Sequence, residues 1–486
     1  MRSEETLKEK TAKGLFWGGV NNGVQQVVGV VFGIVMARWL LKPEDYGMVA
    51  MIAVFPLIAT TLQNSGFKTA LINQPEVRAE DYNSVFWFNI IVGCSIYAVL
   101  FCCAPLIASY YHTPELVALS RYAFLGFVFA SFGTAQAAWL TKQMKIKEIA
   151  QTGIIAILSS SLTGIILAWL GFAYWALATQ SIMFIGVNTT LLWYHSEWRP
   201  SWHIDFGPVK RMFGFSVKIL GASVATQVNN NVMNILLGRF SDAKDVGYYN
   251  QGQQWSFKVY SLIQGMVMQI DQPVLVGLNN ERERQLMVLR KMVRFTAFIS
   301  FPLLFGFALV ANEFILLAIK DAWAPTVPLL QTLCIGGAFM PISALLYDLT
   351  ISKGRSDIYM WGTIALSISL IATLLALHTY GIQAMTWGFT AVNTGWMFVW
   401  FFFVSRLTGY SLLYFLKDIL PFALAALAVM TVTHFATLSI SNLMVLLVVR
   451  IAMAVVLYYA IMRLFGAKIL DDCMKFITQK LHKKKS

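Results

Sequence analysis

The chain has 486 residues, of which 57% are hydrophobic and 13% charged, with a formal net charge of +13. So apolar a composition excludes an ordinary soluble domain. The five cysteines (Cys94, Cys102, Cys103, Cys334 and Cys473) show no zinc-like spacing with histidines, and read as small apolar packing residues.

About 20 apolar residues are needed to cross a bilayer. Fourteen stretches qualify: 14–37, 47–65, 84–108, 116–139, 149–170, 172–194, 212–238, 247–275, 292–312, 326–348, 358–378, 381–404, 418–437 and 443–463. The first lacks a small-residue cleavage site and reads as a retained span, not a signal peptide. The expected fold is therefore an all-α polytopic membrane protein. The tail 464–486 spaces Leu470, Met474, Ile477 and Leu481 helically among lysines. It suits either an interfacial helix on an anionic leaflet or a solvated basic tail.

The spans repeat. Residues 14–38, GLFWGGVNNGVQQVVGVVFGIVMAR, align with the stretch that ends at Arg239. Asn22 then falls under Ser223 and Gln26 under Gln227; after one deletion Asp45 meets Asp245 and Gly47 meets Gly247. Further on, Thr141–Lys142 match Ser352–Lys353, and Gly171 matches Gly381. The expected organisation is two six-helix lobes, 14–194 and 212–404, two extra spans within 418–463, and the basic tail. An even number of spans makes the copies parallel, related by an axis along the membrane normal.

Charge sets the orientation. With the N-terminus in the cytoplasm, the inside loops and tails hold 28 of the 37 lysines and arginines and the outside turns hold five. That asymmetry predicts both termini inside and explains the basic balance without nucleic acid. All loops are short, leaving no room for a soluble catalytic domain.

Three spans carry polar stripes. The first has Asn21, Asn22, Gln25 and Gln26; the seventh has Gln227, Asn230 and Asn234; the eighth has Asn250, Gln254 and Lys258. Helical spacing collects these residues on one face of each span. Two readings stand: amides as glue between tightly packed helices, or faces lining a hydrated cavity. A lysine at position 258 suits the second. Arg38, Lys218 and Arg239 are further cations at cavity level, and Arg121 and Asp271 are candidates for ion coupling or a charge pair. Asp271 also suits simple placement at the interface. Catalytic signatures are missing: no phosphate-binding Gly-rich loop ends in Lys-Ser/Thr, no His-Glu-x-x-His occurs, and the six histidines are scattered. No catalytic residue, cofactor or metal is expected. Glu44–Asp45 have the repeat partners Lys244–Asp245, so the recurring Asp-x-Gly reads as a helix cap and tight turn.

The opening helix, the turn ARWLLKPEDYG (37–47) and the segment LQNSGFKTALINQP (62–75) resemble the polysaccharide transporter family. These oligosaccharide flippases belong to the multidrug, oligosaccharidyl-lipid and polysaccharide exporter superfamily. The resemblance covers essentially the whole chain. It implies a V-shaped pair of lobes with a cavity lined by spans 1, 2, 7 and 8. It also implies a cargo of undecaprenyl-pyrophosphate-linked oligosaccharide, moved to the outer leaflet of the bacterial inner membrane for lipopolysaccharide, O-antigen, capsule or exopolysaccharide synthesis. Implied partners are that lipid-linked glycan, membrane lipids, and a glycan polymerase with other pathway membrane proteins. The alternatives are a multidrug exporter of the same superfamily, disfavoured because span 1 has no acid, and a membrane-embedded polymerase or glycosyltransferase, disfavoured by the short outside loops.

Overall fold

The computed structural model describes residues 7–55, 57, 68, 71–72, 76–202, 204–277, 281–466 and 469–470. Residues 56 and 58–65 of the expected second span and most of the basic tail lie outside the described residues. Contacts divide the chain into two compact units, Met1–Gly247 and Tyr248–Ser486. Among the described residues every regular element is helical.

The first unit runs α1 (Leu7–Val35), a π-helical turn (Met36–Leu40), α2 (Pro43–Ile52), α3 (Ala79–Tyr110), α4 (Leu116–Ala123), α5 (Leu125–Ser131), α6 (Thr134–Lys142), α7 (Ile146–Trp169), α8 (Tyr174–His195) and α9 (Gly207–Phe240). Helix α10 (Ala243–Gly277) begins there and continues into the second unit. α11 (Arg282–Leu309), α12 (Ala311–Ala318), α13 (Thr326–Gly337), α14 (Met340–Ser352), α15 (Ser356–Leu377), α16 (Ile382–Thr408), α17 (Leu412–Ala436) and α18 (Leu443–Leu464) complete the second unit. In the first, α7 packs between α1 and α8, and α9 lies on α2 and α3. In the second, α17 lies along α11, and α16 touches α13, α14 and α15.

Among the described residues, eleven helices are long and apolar enough to cross a membrane. The expected spans 212–238 and 247–275 form continuous helices of 34 and 35 residues, α9 and α10, but are too polar to join that set. Elsewhere apolar side chains point outward. On α18, Met444, Val448, Ile451, Val455 and Val456 are 49–65% exposed. A helix apolar on its free face and packed on the other is matched to lipid, not water. The chain is a multi-pass membrane protein.

Hydrocarbon supplies no hydrogen bonds, so each backbone group freed inside a span needs a protein partner. Pro105 in α3 has no N–H for the carbonyl of Phe101, four residues back. That carbonyl accepts instead from Arg121 Nε at 3.3 Å. Pro302 in α11 frees the carbonyl of Phe298 in the same way, and Tyr458 Oη of α18 donates to it at 3.0 Å. Helix ends are closed by side chains too: Asn442 Oδ1 accepts from the amides of Met444 and Val445 at 3.0 and 3.1 Å.

The last two helices are held to the second unit by charge. Asp418 of α17 is 3% exposed and accepts from Arg290 of α11 at 2.7 and 3.1 Å and from Tyr410 Oη at 2.6 Å, with Arg294 at 3.5 Å. Removing one partner of such a buried pair strands the others and costs about 3–5 kcal/mol. Asp418→Ala is therefore expected to lower the thermal unfolding midpoint clearly, while Asp357→Ala, in the exposed pair with Arg355, leaves it within experimental error.

Candidate functional site

The three polar helices present their amides differently. On α1, Gln25 Nε2 donates to Asn21 Oδ1 at 2.9 Å. Both sit on Gly153 of α7, where an added Cβ would lie 2.7 Å from Asn21 Oδ1 and 3.0 Å from Gln25 Nε2. These two amides pack α1 on α7. Asn22 is exposed and Gln26 half-buried.

On α9, Asn234 is buried, Gln227 half-buried and Asn230 exposed, and Asn231 Nδ2 donates to the Gln227 carbonyl at 2.9 Å. On α10, exposed Gln254 donates to Asn250 Oδ1 at 2.6 Å. One turn on, Lys258 is half-buried with Nζ 4.1 Å from the centre of the Trp255 ring. The aromatic face partly offsets the desolvation of the ammonium. Among the described residues no carboxylate forms an ion pair with Lys258. The i,i+4 pairs Asn21–Gln25 and Asn250–Gln254 satisfy one donor and one acceptor each, and an amide has further sites to offer a ligand. The side chains of Lys218 and Asp271 lie outside the described residues.

A close junction joins the start of α2 to the start of α10. The Cα of Gly47 faces the carbonyl of Ala243, and the Cα of Gly247 faces the carbonyl of Pro43; a Cβ on either glycine would fall onto that backbone oxygen. Only glycine permits so near an approach. Asp45 serves α2 as a cap, accepting from the Lys42 amide at 2.9 Å, as expected. At α10 the roles are reversed: Asp242, just before the helix, accepts from the Asp245 amide at 2.9 Å, and Asp245 is the capped residue. Burial pushes the carboxyls of Asp45 and Asp245 above the usual range; for Asp45 the amides of Lys42 and Tyr174 pull the other way.

The cations at cavity level have different surroundings. Arg38 lies over the ring of Trp39 at 5.4 Å. Arg239, at the end of α9, donates to the Tyr110 carbonyl at 2.9 Å and contacts the His112 ring. Beside it Gly238 packs on Tyr111 and Met51. Arg121 is taken up by the Phe101 carbonyl and lies 4.2 Å from the centre of the Phe101 ring. Sequence reasoning missed Tyr110, Tyr111 and His112; the one signal was the polar turn after α3. Among the described residues no group of three or more His, Cys, Asp or Glu is placed to hold a metal ion. Cys94, Cys102, Cys103 and Cys334 are free thiols, and Cys334 alone of the four is buried.

These helices make a polytopic membrane fold with known relatives. A solved structure described as lipid II flippase MurJ in an inward closed conformation matches with a TM-score of 0.77 at 14% identity, over 94% of this chain and all of that one. An inward-facing multidrug resistance transporter of the MATE family, in the MOP superfamily, matches at 0.64 with 16% identity, over 80% of this chain and 96% of that one. The sequence profile of the polysaccharide biosynthesis protein family matches residues 35–328, and the chain belongs to that family. Lipopolysaccharide biosynthesis protein WzxC of Escherichia coli K12 is 23% identical over 80% of this chain and 79% of its own length. Teichuronic acid biosynthesis protein TuaB of Bacillus subtilis is 25% identical over 69% and 70%, and succinoglycan biosynthesis transport protein ExoT of Rhizobium meliloti 24% over 80% and 76%.

Two predictions follow from this geometry. Gly47→Ala forces a methyl group against backbone that cannot rotate away, and is expected to destabilise by about 3 kcal/mol, the upper end for overpacking. Gly29→Ala meets nothing within 4 Å and serves as the control; equal unfolding midpoints for the two variants would show that the junction gives way. Arg121→Met is expected to cost about 1–3 kcal/mol by stranding the Phe101 carbonyl. In a Pro105→Ala background the helix regains its own donor, so a double-mutant cycle should show most of that cost gone.

Proposed function

We propose that the chain is a flippase that moves a lipid-linked oligosaccharide across the bacterial inner membrane by alternating access. The observation that carries this reading is the contrast between α9 and α10 and the other long helices. Two helices rich in amides, α10 with Lys258 at mid-span, run through a lipid-matched bundle in a chain of the polysaccharide biosynthesis protein family. Amides suit sugar hydroxyls, and a cation suits a pyrophosphate. The full architecture in this reading is fourteen spans, with six-helix halves at 14–194 and 212–404 related by an internal repeat. Both termini are cytoplasmic, so the α1–α2 and α9–α10 turns face outward. The substrate-facing residues are Asn22, Gln26, Gln227, Asn230, Asn234, Gln254 and Lys258, with Arg38, Lys218 and Arg239 as further cations. Asn21 and Gln25 support that face through α7.

Lys258 is the residue that meets the anionic head of the lipid-linked substrate. The rest of such a cargo is sugar or hydrocarbon, and a half-buried ammonium with an aromatic neighbour attracts an anion. Lys258→Ala is expected to abolish surface polysaccharide at unchanged membrane abundance, and Lys258→Arg to retain part of it, because charge survives while geometry changes. The test is complementation of a deletion strain with each variant. Normal surface polysaccharide with Lys258→Ala would remove Lys258 from the substrate path. The orientation is tested separately, by labelling cysteines placed at 146 or 286 in intact cells; reaction with an impermeant reagent from outside would reverse it.

A further inference from the structure

The second unit holds a buried charge cluster that the substrate path does not use. Arg450 of α18 is 6% exposed, and its guanidinium is shared among four acceptors. Nη1 donates to Glu313 Oε1 of α12 at 2.7 Å and to the Leu309 carbonyl that ends α11 at 3.2 Å. Nε donates to Thr437 Oγ1, just past α17, at 3.1 Å, and Nη2 reaches His434 Nδ1 of α17 at 3.2 Å. Glu313 is 2% exposed, and its second oxygen, Oε2, is buried with no hydrogen-bond partner among the described residues. His434 is exposed.

A guanidinium only donates, so the His434 Nδ1 that meets it accepts through its lone pair. Adding a proton to Nδ1 turns that contact into donor against donor and cation against cation. The acceptor at hand is Glu313 Oε2. Both residues bond to terminal nitrogens of one planar guanidinium, which places them on the order of 5 Å apart. We propose that His434 and Glu313 form a proton-binding site. The proton enters at His434 Nδ1 from the exposed side; the ring leaves Arg450 and donates to Glu313 Oε2, while Arg450 keeps Glu313 Oε1, Leu309 and Thr437. The bare carboxylate oxygen then has a function, and the end of α17 exchanges α18 for α12.

The surroundings suit a proton over a metal ion, because a fixed guanidinium already occupies one carboxylate oxygen. Among the described residues, no other charged side chain forms an ion pair with Arg450 or Glu313. α11 contributes a carbonyl, and its cations Arg282, Arg284, Arg290, Lys291 and Arg294 and its acid Glu283 lie in its first half. α13 carries no charged residue, and the charged residues of α17 and α18 besides His434 and Arg450 are Lys417 and Asp418, and Arg463, at their far ends. Lys320 and Asp321, in the turn after α12, are exposed. In the proposed orientation His434 faces outside, so a proton gradient across the membrane reaches this site first. Its use in driving export rests on the flippase reading.

Thermal unfolding of the full-length protein in detergent, from pH 5 to pH 8, tests the site without transport. Histidine is the side chain whose charge changes across that range. H434Q keeps an oxygen for Arg450 to donate to but takes up no proton. The wild type is expected to unfold about 2 °C or more above H434Q at pH 5 and to coincide with it at pH 8. The histidine–carboxylate contact is present in acid and lost as pH rises. E313Q should remove or reverse the gain at pH 5; if that variant does not accumulate, the H434Q comparison decides alone. Parallel pH profiles for wild type and H434Q overturn the site. Surface polysaccharide measured at external pH 5–8 should lose its pH dependence in H434Q at equal membrane abundance. An unaltered dependence, with the detergent titration intact, overturns the coupling role and leaves the flippase reading standing.

Discussion

The structure depends on one constraint: within a bilayer every polar group must be answered by protein. Prolines inside α3 and α11 are tolerated because particular side chains reach the carbonyls they set free, Arg121 for Phe101 and Tyr458 for Phe298. Each such contact crosses from one helix to another. A hydrogen bond lost in one span therefore adds a specific tie to its neighbour, where in water the freed carbonyl would simply be hydrated. The buried carboxylates obey the same rule. Asp418 and Glu313 each meet an arginine, one pinning α17 to α11 and the other pinning α18 to α12. The last two helices are thus bound to the second unit by matched charge as well as by apolar packing.

The same constraint gives α9 and α10 their meaning. They carry amides bonded within their own helices, Asn231 to the Gln227 carbonyl and Gln254 to Asn250, and Lys258 rests on an aromatic ring. An oligosaccharide on a pyrophosphate offers hydroxyls and anionic oxygens in one chain, which is the complement of amides beside an ammonium.

Much of this was legible in the sequence. Hydropathy marked the eleven described helices apolar enough to span, and the polar stripes singled out α1, α9 and α10, of which the last two are the long described helices that fall outside the apolar set. The Asp-x-Gly motif read correctly as a cap at Asp45, but the cap of α10 is Asp242, and the two glycines lie inside helices where backbones approach, not in tight turns. Other features depend on partners that periodicity cannot reveal. Asn21 and Asn22 are neighbours in sequence, yet one packs on Gly153 and the other is exposed, a difference decided by where α7 lies. Arg121 looked like half of a charge pair because its true partner is a backbone carbonyl, made available by a proline sixteen positions away. Glu313 gave no signal, since an acid at the edge of an apolar run looks the same whether it is solvated or buried against an arginine more than a hundred residues on.

The junction of Gly47 with Ala243 and Gly247 with Pro43 has a further implication. In the proposed repeat Pro43 is the counterpart of Ala243, and Gly47 that of Gly247. Each glycine thus touches the counterpart of the residue that begins its own helix. This is the reciprocal pattern of an isologous, two-fold interface, folded into a single polypeptide. A substitution at either glycine is then opposed by backbone that belongs, in that repeat, to the other copy.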